Sequence, residues 1–221
     1  MDHHDLSPSI QDYAKEIYVL QEPGRPVGTS ALAERLGVSA PSVSEMIRTL
    51  VDRGLVTHEP YHGIKLTPEG VKVALGVIRH HRLLELFLAE SLGLPWDEIH
   101  KEAEALEHAI SEELEEKIAS RLGDPQLNPY GEPIPSREGT IETTQATSLA
   151  DLEPGQAGTF VEIPHPEPSV LGALEERHIH IGDRVELVEK APEGPVRVRV
   201  GGRKHEIDQT MAGAMRVLVE R

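Results

Sequence analysis

The sequence predicts an α+β chain in three parts: a winged helix-turn-helix, an all-helical middle and a small antiparallel β-barrel. Three observations predict it. Apolar residues recur at helical spacing in successive segments between Ile10 and Leu122. Alternation at period two is confined to residues 55–66 and to the chain beyond residue 157. A Pro-, Gly- and Thr-rich stretch from residue 124 to about 152 separates that last part from the helices. The domains therefore read as 1–72, 73–140, a linker at 141–152, and 153–221.

Ile10, Tyr13, Ala14, Ile17 and Tyr18 form the apolar stripe of a first helix, with Asp12 and Lys15 off it and Pro23-Gly24 to end it. A second begins at Thr29 or Ser30, carries Leu32, Ala33 and Leu36, and closes at Gly37. Ser39 can cap a third, with Pro41 in the first turn, where its missing N–H costs nothing. Val43, Met46, Ile47 and Leu50 are the core face of this helix, and Gly54 stops it. Leu55-Val56-Thr57 and Ile64-Lys65-Leu66, either side of a turn at Tyr61-His62-Gly63, read as a two-stranded wing.

A long helix follows from Thr67-Pro68-Glu69-Gly70 to about Ser91. Pro95 starts another, through Leu106 into Ala109, and Ser111 a third that ends at Gly123. The acidic start of the last suits the positive end of its dipole. The apolar faces of these helices (Val73, Val77, Leu84, Phe87, Leu88; Leu114, Ile118, Leu122) exceed what so small a segment can bury, so a homodimer is expected. Beyond the linker, the runs starting at Gly158, Arg184 and Val196 alternate as barrel strands.

Composition limits what the chain can do. Its 221 residues carry a formal net charge of −16, which argues against holding nucleic acid by bulk electrostatics alone. That charge suits a protein that needs bound cations before it tolerates a polyanion. There is no cysteine, which excludes disulfides, thiolate zinc sites and iron–sulfur clusters. No apolar run approaches the ~20 residues of a membrane span. The start, Met-Asp-His-His-Asp, lacks the features of a signal peptide, so a cytoplasmic protein with no membrane partner is expected. His3 and His4 belong to that polar tail and carry little weight as ligands.

His100, Glu104, Glu107 and His108 stand at i, i+4, i+7 and i+8, which places all four on one stripe of a helix. Two carboxylates and two imidazoles on one face make a metal-ligand set without sulfur; the competing reading is a solvated acidic face. One helix face supplies ligands from one direction only, and Asp12 of the first helix is the partner that completes the set. Asp12, Glu104, Glu107 and His108 are oxygen-dominated with one imidazole, a hard set suited to Mn(II), and also to Fe(II), better than to copper or structural zinc. His81 and Glu85 on the long helix, with His100, form a second cluster, giving two ions per chain.

For DNA, the third helix presents Ser42, Glu45, Arg48 and Thr49 away from its core, with Ser39, Pro41 and Ser44 at or near the end that normally enters the major groove. His62 and Lys65 on the wing, with Arg25 and Arg35, are candidate phosphate contacts.

These residues resemble the diphtheria toxin repressor family of metal-dependent transcriptional regulators over essentially the whole chain. Three motifs carry the resemblance: Asp12-Tyr13 through Ile17-Tyr18; His80-His81-Arg82-Leu83-Leu84-Glu85 with His100 to His108; and Gly123-Asp124-Pro125 followed by Asn128-Pro129-Tyr130-Gly131-Glu132-Pro133-Ile134-Pro135. It implies a C-terminal barrel similar to SH3 and a regulatory metal site on Asp12, Glu104, Glu107 and His108. It also implies an ancillary site on His81, Glu85 and His100, helped by Glu167 of the barrel. His165 can substitute there, since the other expected barrel ligand falls on Val170.

Iron-responsive members place Met and Cys where this chain has Asp12 and Glu104, and manganese-responsive members resemble it there. An acidic ligand of short manganese regulators falls on Lys15, which speaks against their binuclear site. Asn128-Pro129-Tyr130-Gly131 replaces a Cys-Pro-His-Gly loop and is expected to lend no ligand.

The function so implied is not enzymatic. It is a homodimer activated by Mn(II) to bind palindromic double-stranded operator DNA and repress metal-homeostasis genes, with no organic substrate. Without metal, repulsion among Asp12, Glu104 and Glu107 is expected to hold the joint between first helix and dimerisation domain open. An Fe(II)-responsive repressor is the nearest alternative. A di-metal carboxylate enzyme needs Glu-x-x-His on two helices, and here the pattern occurs once. A winged-helix sensor of an organic ligand would leave the acidic stripe idle.

Overall fold

The structure, a computed structural model, describes residues 6–21, 25–59, 62–142, 145–191 and 194–220. Expectations placed on His3, His4, Pro23-Gly24 and Tyr61 lie outside them. The chain divides into two compact units: one of Met1–His81, Glu104–Ile118 and Pro135–Ile141, the other of Arg82–Ala103, Ala119–Ile134 and Glu142–Arg221.

In the first unit α1 (Pro8–Leu20), α2 (Thr29–Leu36) and α3 (Ala40–Asp52) precede a hairpin of β1 (Val56–Glu59) and β2 (Gly63–Leu66). Gly37 ends α2 in the left-handed conformation, at φ 65°, and the turn into α3 begins there. Ser39 then caps α3, its Oγ accepting from the Ser42 N–H. The hairpin is antiparallel, Val56 facing Leu66, and Val27 adds a bridge to Ile64. Ile17, Leu32, Leu50, Leu55 and Ile64 are fully buried in one core with Ile10, Ala14, Val43 and Ile47. Each buried leucine, isoleucine or valine there contributes about 1.5–3 kcal/mol on leaving water. Met46, expected in that core, only packs against it. At the root of α4 (Pro68–Leu92) a Cβ on Gly70 would stand 2.0 Å from the Leu55 carbonyl oxygen, so only glycine lets the long helix start this close to the wing.

The winged helix-turn-helix, the helical segment and a β-rich C-terminal part make the fold α+β. Helices α4, α5 (Trp96–Leu106) and α6 (Glu112–Arg121) each begin in one unit and end in the other. Val73, Val77, Leu84, Leu88 and Ile118 are buried within the single chain, leaving Leu92, Leu106 and Leu114 exposed. The apolar faces are therefore better covered without a partner than their sequence suggests.

The second unit centres on a six-stranded antiparallel sheet of order β3-β8-β4-β5-β6-β7. Its strands are β3 (Thr147–Ser148), β4 (Ala157–Glu162), β5 (Arg184–Lys190), β6 (Val196–Val200), β7 (Arg203–Ile207) and β8 (Arg216–Val219), with helices α7 (Pro168–Glu176) and α8 (Gln209–Ala214). Sequence alternation finds β4, β5 and β6. It misses β7, an edge strand with one buried residue, and the very short β3 and β8.

Phe160, Leu171, Leu174, Val185, Leu187, Val198 and Val217 share the core of this unit with Leu149, Leu152 and Tyr130. Thus β3 and two core leucines fall inside 141–152, the stretch that reads as a linker. Tyr130 is fully buried, and its hydroxyl donates to the Trp96 carbonyl at 2.9 Å. Next to it, a Cβ on Gly131 (φ 77°) would lie 1.9 Å from the Val161 carbonyl oxygen. Among the described residues, no helix is long and apolar enough to cross a membrane.

Candidate metal centre and nucleic-acid interface

One sequence expectation needs correction. The four residues from His100 to His108 do not share a helix stripe, because α5 ends at Leu106. Glu107, His108 and Ala109 form the turn beyond it, where the Ala109 N–H donates to the Leu106 carbonyl at 2.8 Å. Leaving the helix lets Glu107 point inward, its side chain 1 % exposed, while Glu104 on the last turn of α5 stays exposed. Helical periodicity places residues only as far as the helix runs.

In the first unit the turn meets α1. His108 Nε2 lies 2.8 Å from Asp12 Oδ1 and 3.4 Å from Glu107 Oε1, and one ligand atom from each of the three falls within 4.8 Å of the others. Glu104 is outside this compact trio but lines the same cleft, about 380 Å³ in volume, with Asp12, Glu107 and His108.

Sequence reasoning missed Gln11. It is buried, its Nε2 donates to the Leu6 carbonyl at 3.0 Å, and its Oε1 therefore faces His108 Nδ1 at 2.7 Å. An amide oxygen accepts, so Nδ1 carries the proton and Nε2 is the ring nitrogen presented to Asp12 and Glu107. The sequence signal was available in the position of Gln11, next to Asp12 on α1.

Lys15 is the second surprise. Its Nζ lies 2.6 Å from Glu107 Oε1, while His81 Nδ1 donates to Glu107 Oε2 at 2.6 Å. Burial pushes the Glu107 carboxyl up, but the His81 contact and the Lys15 ammonium outweigh it and hold the group below the ordinary carboxylate range. Glu107 is thus an anion already compensated, so carboxylate repulsion does not dominate here as the sequence suggested.

Behind the turn, His80 Nδ1 donates to the Glu107 backbone oxygen at 3.1 Å and its Nε2 lies 2.8 Å from Glu115 Oε2. Arg79 donates from Nε to Glu115 Oε1 at 2.7 Å and from Nη1 to the Pro135 carbonyl at 2.7 Å. Burial raises the Glu115 carboxyl; His80 and Arg79 overcome this and leave it below its usual range.

In the second unit Glu85, fully buried, faces His100 Nδ1 through Oε1 at 3.0 Å and accepts from Asn128 Nδ2 through Oε2 at 2.7 Å. The same Nδ2 donates to Glu132 Oε2 at 3.0 Å, and Arg82 Nη2 to Glu132 Oε1 at 2.8 Å. Asn128 thus holds the carboxylate of Glu85 through its amide nitrogen, while its Oδ1 accepts from the N–H groups of Tyr130 and Glu132. His81 stands one helical turn before Glu85 on α4. His165, at φ 49°, is exposed and touches Glu132 Oε1 through its backbone N–H at 3.5 Å, and Glu167 is the residue preceding α7. Among the described residues, neither His165 nor Glu167 enters a ligand group with Glu85 and His100.

The DNA candidates lie in the first unit. Ser39, Pro41, Ser42, Ser44, Glu45 and Arg48 are exposed at and along α3, and Thr49 is half-buried. Ser44 Oγ donates to the Ala40 carbonyl at 3.0 Å. Arg25, His62 and Lys65 are exposed, but Arg35 Nε is committed to Glu16 Oε2 at 2.7 Å.

Comparison with known proteins matches this architecture part by part. Residues 5–64 match the iron dependent repressor N-terminal DNA binding domain, 67–136 the iron dependent repressor metal binding and dimerisation domain, and 147–220 the FeoA domain. The diphtheria toxin repressor of Corynebacterium glutamicum is 32 % identical over 224 residues, 96 % of this chain and 97 % of that protein. That of Corynebacterium jeikeium is 34 % identical over 149 residues, 67 % of this chain and 62 % of that protein. A solved manganese-dependent transcriptional repressor in complex with manganese superposes with a TM-score of 0.89 at 38 % identity, covering 96 % of this chain and 100 % of that one.

Proposed function

Since the chain belongs to the diphtheria toxin repressor family of metal-dependent transcriptional repressors, we propose that it is a cytoplasmic homodimer that Mn(II) activates to bind palindromic operator DNA and repress metal-homeostasis genes. The family supplies a DNA-binding domain, a metal-binding dimerisation domain and a β-rich SH3-like domain; it is not a family of enzymes. The choice of metal rests on one observation. Asp12, Glu107 and His108 gather two carboxylates and one imidazole nitrogen within 4.8 Å, and the chain has no cysteine. That donor chemistry fits a hard divalent ion.

Asp12, Glu107 and His108 would hold the ion, with Glu104 at the rim. His81, Glu85 and His100 would hold a second, and His165 and Glu167 are the remaining candidates for it. When bound, the ion supplies positive charge that draws carboxylates from separate elements together. The rest is done by the chain. Asp12 ties α1 to the turn after α5, and Gln11 sets the His108 tautomer. The core joining α1 to α2 and α3 carries that constraint to the recognition helix. Metal needs only to favour the DNA-competent arrangement, by a coupling of about 1–3 kcal/mol. At the DNA, Ser39, Pro41, Ser42, Ser44, Glu45, Arg48 and Thr49 would face the major groove, and Arg25, His62 and Lys65 phosphates. Arg35 can join them only by leaving Glu16.

An Fe(II)-responsive repressor is the second reading, favoured by the two matched iron dependent repressor domains. Anaerobic titration of Mn(II) and Fe(II) against binding of selected operator DNA, at one salt concentration, separates them. Activation at lower free Mn(II) than Fe(II) supports the proposal; the reverse order, or binding indifferent to chelators, defeats it.

A further inference from the structure

Both oxygens of Glu107 are engaged: Oε2 by His81 Nδ1 and Oε1 by Lys15 Nζ, each at 2.6 Å. Oε1 is also the oxygen 3.4 Å from His108 Nε2, and so the one turned towards the Asp12–His108 pair. The ammonium therefore lies on the oxygen that an ion held by Asp12, Glu107 and His108 would use. This is not a loose surface contact, since the side chains of Lys15 and Glu107 are 12 % and 1 % exposed. Helix geometry enforces the placement: Lys15 follows Asp12 by three residues on α1, which puts the two on one face.

A compact ammonium and a divalent ion seek the same lone pairs, and in a half-dry cleft they repel if both remain. We propose that Lys15 is a tethered cation that competes with the metal for Glu107 and so sets the free metal concentration at which the Asp12–Glu107–His108 site fills. The inference rests on the reading of those three residues as a metal site. The same lysine keeps the buried Glu107 compensated when no ion is present, where an unpaired buried charge would be costly. Lys15 is a positioning and threshold residue, not a ligand.

The test uses the full chain and Mn(II) alone, with free Mn(II) read from its electron paramagnetic resonance signal. Wild type is compared with Lys15→Met, Lys15→Gln, Lys15→Arg and His108→Ala; the binding lost in His108→Ala defines the site. Lys15→Met and Lys15→Gln should bind Mn(II) there at least about tenfold more tightly, as removal of a close like charge predicts. Lys15→Arg, which keeps the charge, should stay close to wild type. The metal-free melting temperature should fall in the Met and Gln variants, while the rise on adding Mn(II) grows. Affinities of Lys15→Met and Lys15→Gln equal to or weaker than wild type would overturn the competition. Mn(II) binding unchanged in His108→Ala would instead overturn the site reading beneath it.

Discussion

Asn128→Asp changes one atom in kind and almost nothing in shape, yet it should destabilise the second unit strongly. Asn128 is 5 % exposed and its Nδ2 donates to Glu85 Oε2 at 2.7 Å and Glu132 Oε2 at 3.0 Å. Its Oδ1 accepts from the N–H groups of Tyr130 and Glu132 at 3.0 and 2.8 Å, and the substitution preserves both. What is lost is two hydrogen bonds to carboxylates, worth about 1.5–3 kcal/mol each. What is gained is a carboxyl against two carboxylates. Allowing for non-additivity the loss should be roughly 4 kcal/mol at neutral pH, out of the 5–15 kcal/mol typical of a whole protein.

The sign with pH follows. In the fold the new carboxyl is held above its unfolded pKa by its neighbours, so the penalty grows as pH rises through the ordinary carboxylate range and shrinks as pH falls. Urea denaturation with chelator present, at pH 7 and pH 5, measures it, with Asn128→Ala as the variant that deletes the donors without adding charge. A destabilisation under about 0.5 kcal/mol, or one that persists undiminished at pH 5, would refute the role assigned to Asn128.

Gln11→Leu should weaken Mn(II) binding at the His108 site while leaving the fold intact, because the ring loses its Nδ1 acceptor; Gln11→Glu, which keeps one, should restore it, and unchanged affinity in the leucine variant would show that the amide does not orient His108. Glu115→Gln should lower stability at neutral pH by about 2–3 kcal/mol, since Arg79 and His80 lose a charged partner. The Glu115 carboxyl sits below its usual range in the fold, so its contribution is present above the unfolded value and lost as pH falls through the folded one; a wild-type and variant difference that does not narrow in acid would contradict this. Gly131→Ala should cost about 2–4 kcal/mol, from positive φ and from a Cβ meeting the Val161 backbone, and an unchanged melting temperature would show that the loop shifts freely. Truncation before Thr147 should uncover Tyr130 and lower the melting temperature of what remains, whereas a cut at residue 153 should also leave β3, Leu149 and Leu152 without their sheet.

The sequence by itself determined the elements whose signal is local. Capping and stop residues such as Ser39, Gly37 and Gly54, together with the apolar stripes, mark the winged helix because each acts within a few residues of itself. It also offered the residue types of the candidate site: acids and imidazoles close together in the chain, without sulfur. What it could not determine is where a periodic pattern stops being a helix. The end of α5 at Leu106 turned one apparent stripe into an exposed Glu104, a buried Glu107 and a His108 aimed at α1.

Tertiary structure alone decided the partners. Lys15 and Glu107 are 92 residues apart and Gln11 and His108 are 97 apart, separations over which no spacing rule speaks. The same holds for residues 141–152, which read as a linker. Leu149 and Leu152 look ordinary in a polar stretch, yet they are core residues because the fold gathers them into one cluster with Phe160 of β4 and Val217 of β8. Local propensity is a property of neighbours in the chain, whereas charge compensation and burial are properties of neighbours in space, and only the fold says which those are.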